Sequence, residues 1–398
     1  MTVVFISNYL THHQLPFCTE MKRLTENRFY FIATEPIEQE KLTLGYADMN
    51  HDYDFVICTF DGETQEKRAK KLISESDVVI QGGSSTEWIR ERLENTDMLT
   101  VRYIERLFKR GFLRMLSPGA IINNYRSHTK YRNKNFYLLC AGAYVAGDCK
   151  IIGAYKNKMY KWGYFTQVIK YEDKELQDIK KSQTVRLMWA GRFIDWKHSD
   201  YCIETAERLK ADGYDFRLDM IGTGELFDSV KAKAQRLGLD GCICFHGSMP
   251  PEDVRKYMEK ADIYLLTSDY NEGWGAVLNE AMNSGCAVVA SHAAGAVPFL
   301  IENGKNGMIF RSGNTDDMYK CVKYLIENPE LRAKMGEKAY ERVSMLWSPE
   351  TAAKRLIMLL SELLSGNKAP KLFESGPCSI AAPVPQRKMY SEIKEKTI

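Results

Sequence analysis

Residues 261–291, "ADIYLLTSDYNEGWGAVLNEAMNSGCAVVAS", combine two apolar runs with a glycine-rich loop. The first eight of these residues form an apolar run that is typical of a buried strand, and "AVVAS" at the end forms a second run. The glycine-rich loop between them predicts a helix from about Gly275 to Ser284, with Gly285 as its stop. A strand, a helix and a second strand at this spacing indicate a parallel sheet covered by helices.

The same alternation of β-branched runs and helix-period segments continues on both sides of this stretch. The highly charged "KYEDKELQDIKKSQT" divides it into two series, so the predicted fold class is α/β with two doubly wound, Rossmann-like domains. Ser348 and Pro349 predict a further helix start, and the Pro-, Ser- and Lys-rich sequence beyond it predicts a loosely ordered tail. The predicted boundaries are a first domain at 1–170, a linker at 171–184, a second domain at 185–346, a terminal helix at 347–366 and the tail at 367–398.

Composition excludes several classes of protein. The net charge of the 398 residues is +3, from 55 basic and 52 acidic side chains, so the whole molecule does not attract polyanions. The amino-terminal "MTVVFISNYL" is typical of a strand rather than a signal peptide, and no apolar run approaches the ~18 residues of a membrane span. Ten scattered cysteines without a CxxC pair indicate a reducing compartment and no structural metal. We therefore predict a cytoplasmic protein.

Unusual residues follow the predicted strands of the second half, where ligands of parallel sheets bind. Arg192 and Lys197 come after the first strand, and Gly222 and Gly224 of "IGTGE" permit a tight turn with close backbone approach to a ligand. The chain has neither a complete GxGxxG fingerprint nor a GxxxxGK[ST] phosphate loop. Nicotinamide chemistry and Walker-type ATP hydrolysis therefore lack sequence support.

Two glutamates surround the predicted helix start. Glu272 precedes it and Glu280 lies more than one turn inside it, which separates the two carboxylates by about 8 to 12 Å along the helix axis. A helix start suits a phosphate, and carboxylates accept hydrogen bonds from sugar hydroxyls, so this spacing suits a nucleotide sugar. Arg192 and Lys197 would neutralise its diphosphate without a metal. The alternative is that the glutamates only complement the helix dipole and that the two cations are solvated.

The segments "AGRFIDWK", "IGTGE" and "FHGSMPPEDV", together with 261–291, resemble the carboxyl-terminal half of family-four glycosyltransferases. These are retaining, nucleotide-sugar-dependent enzymes whose GT-B fold has two Rossmann-like domains facing a cleft. The resemblance is dense from about residue 185 to 345. It implies that the terminal helix returns towards the first domain.

The resemblance also implies roles for single residues. Arg192 and Lys197 would hold the donor diphosphate, Glu272 would contact the donor sugar and Glu280 the ribose, which makes the first three the predicted catalytic residues. The backbone of the loop after Glu272 would meet sugar and phosphate, and the "FHGSM" region would line the base. The predicted donor-binding residues are Gly222, Gly224, Gly247, Gly273, Trp274, Gly275 and Glu280.

Several positions depart from the family pattern. The first loop reads "SNYLTHHQLP" where the family often has glycines, and Glu105 stands where many members have a histidine. We place Glu105 and His13 on the acceptor side, although His12 and His13 suit a surface position equally well. His198 follows Lys197 where glycine is common, and Phe299 replaces a usual glutamate.

The segment from Arg102 to Gly163 carries thirteen cations with interleaved aromatic residues and only two acids, Glu105 and Asp148. Such a surface suits an anionic membrane, a phosphate-linked lipid acceptor or nucleic acid, or is simply solvated. Beside a glycosyltransferase, we prefer a peripheral membrane contact and predict no nucleic-acid partner.

These observations together predict a retaining, metal-independent hexosyltransferase that needs no cofactor. It would move a hexose from a nucleoside diphosphate sugar to a saccharide or lipid-linked saccharide, in polysaccharide or glycoconjugate biosynthesis, in the cytoplasm or at the inner face of the membrane. A nucleotide-sugar epimerase is one alternative. A non-catalytic nucleotide-sugar-binding protein is the other, and the unusual first loop favours it.

Overall fold

The computed structural model describes residues 1–43, 47–109, 111, 117–172 and 175–384. The chain divides into two compact units. The first unit combines Met1–Gln167 with Trp347–Val384, and the second unit is Val168–Leu346. The first unit therefore contains two segments that are far apart in the sequence.

The first unit is built on a seven-stranded sheet whose strand pairs are all parallel, in the order β3-β2-β1-β4-β5-β6-β7. Its strands are β1 (Val3–Ser7), β2 (Phe29–Ala33), β3 (Val56–Cys58), β4 (Val78–Gly82), β5 (Thr100–Ile104), β6 (Phe136–Ala141) and β7 (Met159–Trp162). Its helices are α1 (Leu15–Leu24), α2 (Gln39–Thr43), α3 (Glu63–Glu75), α4 (Glu87–Asn95), α5 (Pro118–Ser127), α6 (Val145–Ile151) and, after the second unit, α15 (Pro349–Leu364).

Helix α15 begins where the sequence predicts. The Ser348 hydroxyl accepts a hydrogen bond from the Thr351 backbone N–H at 3.2 Å, and Pro349 occupies the first helical position, where its missing N–H costs nothing. The apolar face of α15 is buried, and the helix packs against α1. The carboxyl-terminal part of the chain thus completes the core of the first unit.

The segment after α15 corrects one prediction. We expected a loosely ordered tail, but Cys378 and Ala381 are buried and Ile380 forms an antiparallel bridge with Tyr160 of β7. The Lys161 N–H donates to the Ser379 carbonyl at 2.7 Å, so this segment pairs with the open edge of β7. Backbone hydrogen bonds hold the segment, and the amino-acid composition of a segment does not predict such bonds. The expectation is wrong for residues 378–381, and 385–398 lie outside the described residues.

The second unit is built on a six-stranded sheet, also parallel throughout, in the order β10-β9-β8-β11-β12-β13. Its strands are β8 (Val185–Ala190), β9 (Phe216–Ile221), β10 (Ile243–Gly247), β11 (Ile263–Leu266), β12 (Ala287–Ser291) and β13 (Met308–Phe310). Its helices are α7 (Glu175–Ile179), α8 (Asp200–Ala211), α9 (Phe227–Arg236), α10 (Pro251–Lys260), α11 (Ala276–Asn283), α12 (Val297–Leu300), α13 (Thr315–Glu327) and α14 (Pro329–Glu341).

Both sheets confirm the predicted fold class of two doubly wound α/β units. The helix predicted after β11 is confirmed as α11, which starts after Gly275 (φ +95°), and Gly285 (φ +65°) follows its end. The stretch predicted as a linker contains α7, and the Lys180 ammonium after this helix donates to the Met258 carbonyl at 3.2 Å. Among the residues that the structure describes, no helix combines the length and the apolar character needed to cross a bilayer.

Candidate functional site

The loops at the carboxyl ends of β8 and β9 are in direct contact. The Phe193 N–H donates to the Thr223 carbonyl at 2.9 Å. Gly222 (φ +125°) and Gly224 (φ +153°) have backbones that side chains rarely adopt. A Cβ at Gly222 would overlap the carbonyl oxygen of Gly191, and one at Gly224 would overlap the backbone of Phe193. Both predicted glycines are therefore required for this close approach of two loops.

The end of β10 extends this row of loops. The Gly222 N–H donates to the Gly247 carbonyl at 2.7 Å, and the hydroxyls of Thr223 and Ser248 lie 3.2 Å apart. Gly247 itself has φ +72°. The structure thus places Gly247, from the region predicted to line the base, beside the predicted glycine turn at Gly222.

The most informative contact of this edge is an ion pair between Lys197 and Glu272. The Lys197 ammonium is bound to Oε2 of Glu272, which also accepts a hydrogen bond from the Ser268 hydroxyl at 3.0 Å. The two charged side chains are only 14% and 12% exposed. Two predicted catalytic residues, distant in sequence, are therefore joined at the carboxyl ends of β8 and β11, and the pair can exchange its internal bond for bonds to a ligand.

The other two charged residues of the predicted donor site, Arg192 and Glu280, also follow β8 and β11. Arg192 follows β8 and is exposed, and Glu280 lies on α11 and is half-buried. Burial raises the pKa of Glu280 to about 7, against the opposing effect of the positive charge of Arg255. Glu280 therefore changes its charge near neutral pH.

The glycine-rich loop before α11 is packed tightly. Gly273, Trp274 and Gly275 are buried, and the Trp274 indole donates to Oδ1 of Asn279 at 2.8 Å. A Cβ at Gly275 would lie 3.3 Å from Cγ of Glu272. The Trp274 side chain thus anchors the loop inside the unit, and the predicted ligand contact would involve the backbone.

A histidine that sequence analysis did not select supports this loop from β12. Nε2 of His292 lies 2.8 Å from the Tyr270 hydroxyl, and Nδ1 accepts the Ser312 N–H at 3.0 Å. Burial lowers the pKa of His292 to about 4, so the imidazole is neutral at pH 7 with its proton on Nε2. Its position directly after a strand end is the signal that could have identified it.

His198 stands where the resembled family usually has glycine, and its backbone conformation explains that preference. Its φ of +48° and ψ of +49° lie in the left-handed region. The ring stacks on Tyr201 at 4.7 Å and lies 3.3 Å from Oδ2 of Asp269, whose hydrogen bond raises the pKa of His198. These contacts offset the backbone strain and connect the Lys197 loop to the loop that carries Glu272.

The predicted acceptor-side residues lie at the corresponding edge of the first unit. Glu105 follows β5, and its carboxylate accepts hydrogen bonds from the Tyr164 hydroxyl at 2.8 Å and from the Lys109 ammonium. His13, in the loop after β1, has its ring 6.3 Å from that of Tyr164. The structure thus brings Glu105 and His13 together around Tyr164, a residue that no sequence pattern identifies.

Residues 172–342 match the family of glycosyl transferases group 1. The chain is 30% identical over 162 residues to an uncharacterized glycosyltransferase of Haemophilus influenzae, covering 40% of this chain and 45% of that protein. It is 32% identical over 137 residues to the amylovoran biosynthesis glycosyltransferase AmsK of Erwinia amylovora, covering 33% of each protein. The chain thus spans less than half the length of these glycosyltransferase relatives.

Solved structures match over a larger part of the chain. The crystal structure of Anabaena Alr3699/HepE in complex with UDP superposes with a TM-score of 0.70 at 16% identity, covering 91% of this chain and 100% of that one. Another structure of Alr3699/HepE, in complex with UDP-glucose, gives a TM-score of 0.65. At this identity the likeness concerns the fold, and it confirms the GT-B architecture that the glycosyltransferase resemblance implies.

One group of side chains in the first unit has the composition of a metal site. His51, Cys58 and Asp61 place one ligand atom each within 4.8 Å of one another. The His51 ring and the Asp61 carboxylate are paired with each other at 3.0 Å, and burial, with a smaller effect of Asp61, raises the pKa of Cys58 to about 12. That the activity of this chain requires no metal ion remains a prediction.

Proposed function

We propose that this protein is a retaining glycosyltransferase of polysaccharide or glycoconjugate biosynthesis. It would move a hexose from a nucleoside diphosphate sugar to a saccharide or a lipid-linked saccharide. The observation that carries the proposal is the nearly buried Lys197–Glu272 ion pair beside the glycine turns at the carboxyl edge of the second sheet. The match of residues 172–342 and the names of the relatives support the same reaction class.

The proposed reaction breaks the bond between the anomeric carbon and the diphosphate, and forms a bond from that carbon to the acceptor oxygen. The acceptor hydroxyl gives its proton to an oxygen of the departing diphosphate on the same face of the sugar, so the configuration is retained. Arg192 and Lys197 would stabilise the negative charge that develops on the diphosphate, an effect worth several kcal/mol in a closed site. Because two cations supply this charge, the proposed reaction needs neither a metal nor another cofactor.

Glu272 has two proposed tasks. In the unliganded protein it keeps the charge of Lys197 compensated. When a donor binds, Lys197 turns to the diphosphate, and the carboxylate of Glu272 accepts hydrogen bonds from the donor sugar. Glu280 would do the same for the ribose, and Gly247 would lie against the base.

The test is calorimetry of uridine, guanosine and adenosine diphosphate sugars in EDTA-containing buffer. Wild-type protein should bind one class of donor, and Arg192→Gln/Lys197→Gln should lose at least ~100-fold in affinity because two charge-assisted contacts disappear. A matched control, Lys231→Gln/Arg236→Gln, removes the same charge from exposed positions of α9. No donor binding by the folded wild type would refute the proposal, and conversion of donor without acceptor would identify an epimerase.

We further propose that the protein works in the cytoplasm at an anionic membrane surface. On α5, Ile121, Ile122 and Tyr125 are about half exposed, at 55%, 49% and 55%. Residues 117–163 contain eight cations and one acid, Asp148, which is buried. An apolar helix face surrounded by cations suits a bilayer rich in anionic lipid. Residues 110 and 112–116 of the segment predicted to bind a membrane lie outside the described residues.

Sedimentation with phosphatidylglycerol vesicles tests the membrane contact. Wild type should sediment at low salt, and Ile121→Ser/Tyr125→Ser should lose most of the bound fraction because the exposed apolar face is removed. Tyr324→Ser, which removes a side chain that is 46% exposed on α13, should change nothing. Equal sedimentation of all three proteins would refute a contact through α5.

A further inference from the structure

One face of the second sheet has an unusual composition near its β10 edge. Leu218 and Met220 of β9 point into an apolar core, as expected for a parallel sheet buried between helices. The alternate residues Arg217 and Asp219 face the other side, together with His246 of β10. Charged residues on a sheet face that normally carries apolar side chains indicate a function other than packing.

This polar face and helix α10 enclose a groove with a volume of about 520 Å³. The groove follows the length of α10, with Met249 at one end and Tyr257 along its wall. Its charged lining residues are the cations Arg186, Arg217, Lys256 and Lys260 and the acids Asp219 and Asp253.

The two acids of the groove are already compensated. Asp253 binds Lys256 at 2.8 Å. Oδ1 of Asp219 lies 2.7 Å from Nε2 of His246 and 3.4 Å from Nε of Arg217. The lining therefore has an excess of two positive charges.

Two of the cations carry this excess. Among the described residues, the side chains of Arg186 and Lys260 have no carboxylate within the 4.0 Å of an ion pair. Both face the same cavity, so their charges add in one place. A dianion fits this excess, because its charge would equal that of the two uncompensated side chains.

The cationic end of the groove lies apart from the candidate donor site, whereas its other end, at Met249, borders the "FHGSM" region predicted to line the base. Arg186 and Arg217 are the second residues of β8 and β9, so they lie at the amino-terminal edge of the sheet. The Lys197–Glu272 pair and the glycine turns follow the carboxyl ends of the strands. A six-residue strand places these two edges about 16 Å apart.

We propose that this groove binds a small phosphorylated molecule that is free in solution. The phosphate would lie between Arg186, Arg217 and Lys260, where guanidinium groups can bind its oxygens in pairs. The organic part would lie along the ring of Tyr257 towards Met249. A sugar phosphate has the size and the hydroxyl groups for this position, and it would bind whether or not the protein transfers sugars.

The experiment uses full-length protein and calorimetry with inorganic phosphate and glucose 6-phosphate, at an ionic strength of about 0.15 M kept constant with chloride so that screening does not change. Wild type should bind glucose 6-phosphate more tightly than phosphate. Arg186→Gln/Lys260→Gln should lose at least ~10-fold in affinity for both, because two charge-assisted contacts are removed. The exposed pair Lys231→Gln/Arg236→Gln should retain wild-type binding, and circular dichroism checks the fold of each variant.

Three results would overturn the proposal: no binding of either probe at millimolar concentration, an equal loss in the control variant, or displacement of glucose 6-phosphate by saturating UDP. The last result would assign the probe to the candidate donor site. Vesicle binding that depends on Arg186 and Lys260 would show that the groove takes a lipid headgroup instead of a soluble molecule. Because the probes are not donors, failure of the proposed transferase activity leaves this measurement interpretable.

Discussion

The ion pair between Lys197 and Glu272 allows a quantitative prediction through a double-mutant cycle of Lys197→Met and Glu272→Gln. At an effective dielectric constant of about 20, two charges in close contact attract by about 5 kcal/mol, and the desolvation of both side chains offsets part of this. Lys197→Met should lower the free energy of unfolding by about 3 kcal/mol, because it leaves the Glu272 carboxylate nearly buried without a cation. Glu272→Gln should cost about 1 kcal/mol, since the amide oxygen still accepts from Lys197.

The double variant should cost about 2 kcal/mol, which is less than the sum of the single effects and gives a coupling energy of about 2 kcal/mol. Urea unfolding followed by tryptophan fluorescence is a suitable assay, because Trp189 and Trp196 belong to the same unit. The control cycle uses Lys256 and Asp253, an exposed pair at 2.8 Å, where we expect at most about 0.5 kcal/mol.

The same variants separate structure from ligand binding. Glu272→Gln should bind UDP more tightly than wild type, because the diphosphate no longer competes with a carboxylate for Lys197, whereas Lys197→Met should bind UDP more weakly. A coupling energy no larger than that of the control cycle would refute the reasoning about burial. Equal loss of UDP affinity in both single variants would refute the proposed exchange of partners.

Three further predictions concern stability. Gly222→Ala should cost about 3 kcal/mol and abolish donor binding, because its Cβ would overlap a neighbouring carbonyl, while Gly241→Ala, with open space around it, should melt like wild type. Burial lowers the pKa of His292 to about 4, so the folded state keeps this imidazole neutral. As pH falls from 6.5 to 4, the unfolded state binds a proton that the folded state does not, and up to about 3 kcal/mol of the free energy of unfolding is lost. His292→Gln should flatten that part of a stability–pH curve. Ala381→Asp should lower the melting temperature strongly, because it puts a charge into the core, whereas exposed Ala382→Asp should not; equal melting of the two would contradict the pairing at β7.

Local patterns predicted the parts of the structure that depend on local interactions. The strand, loop and helix around Gly275 could be predicted because the apolar run, the glycines and the helix stop all lie within 31 residues of sequence. Lys197 and Glu272 could each be selected from their positions after predicted strands. Their direct ion pair could not be predicted, because it depends on how two long loops pack.

The errors and omissions have physical reasons too. Residues 378–381 are held by backbone hydrogen bonds to a sheet edge, and almost any composition can form these. The role of His292 depends on its burial, which a single histidine after a strand does not reveal. The polar face around Asp219 was hidden because the strand sequence "FRLDMI" differs from an apolar strand at only two positions.

The division of the chain into two units has a consequence for its synthesis. The first unit needs α15 and residues 367–384, yet the whole of Val168–Leu346 is translated before them. At 5–20 residues per second, translation of this insertion lasts about 10 to 40 s, which is long compared with the folding of a domain. During that time the edge of β7 and the α15-binding face of α1 have no partner on the growing chain. The second unit can therefore fold first on the ribosome, although its sequence comes later, and the amino-terminal half is the part that needs protection from aggregation.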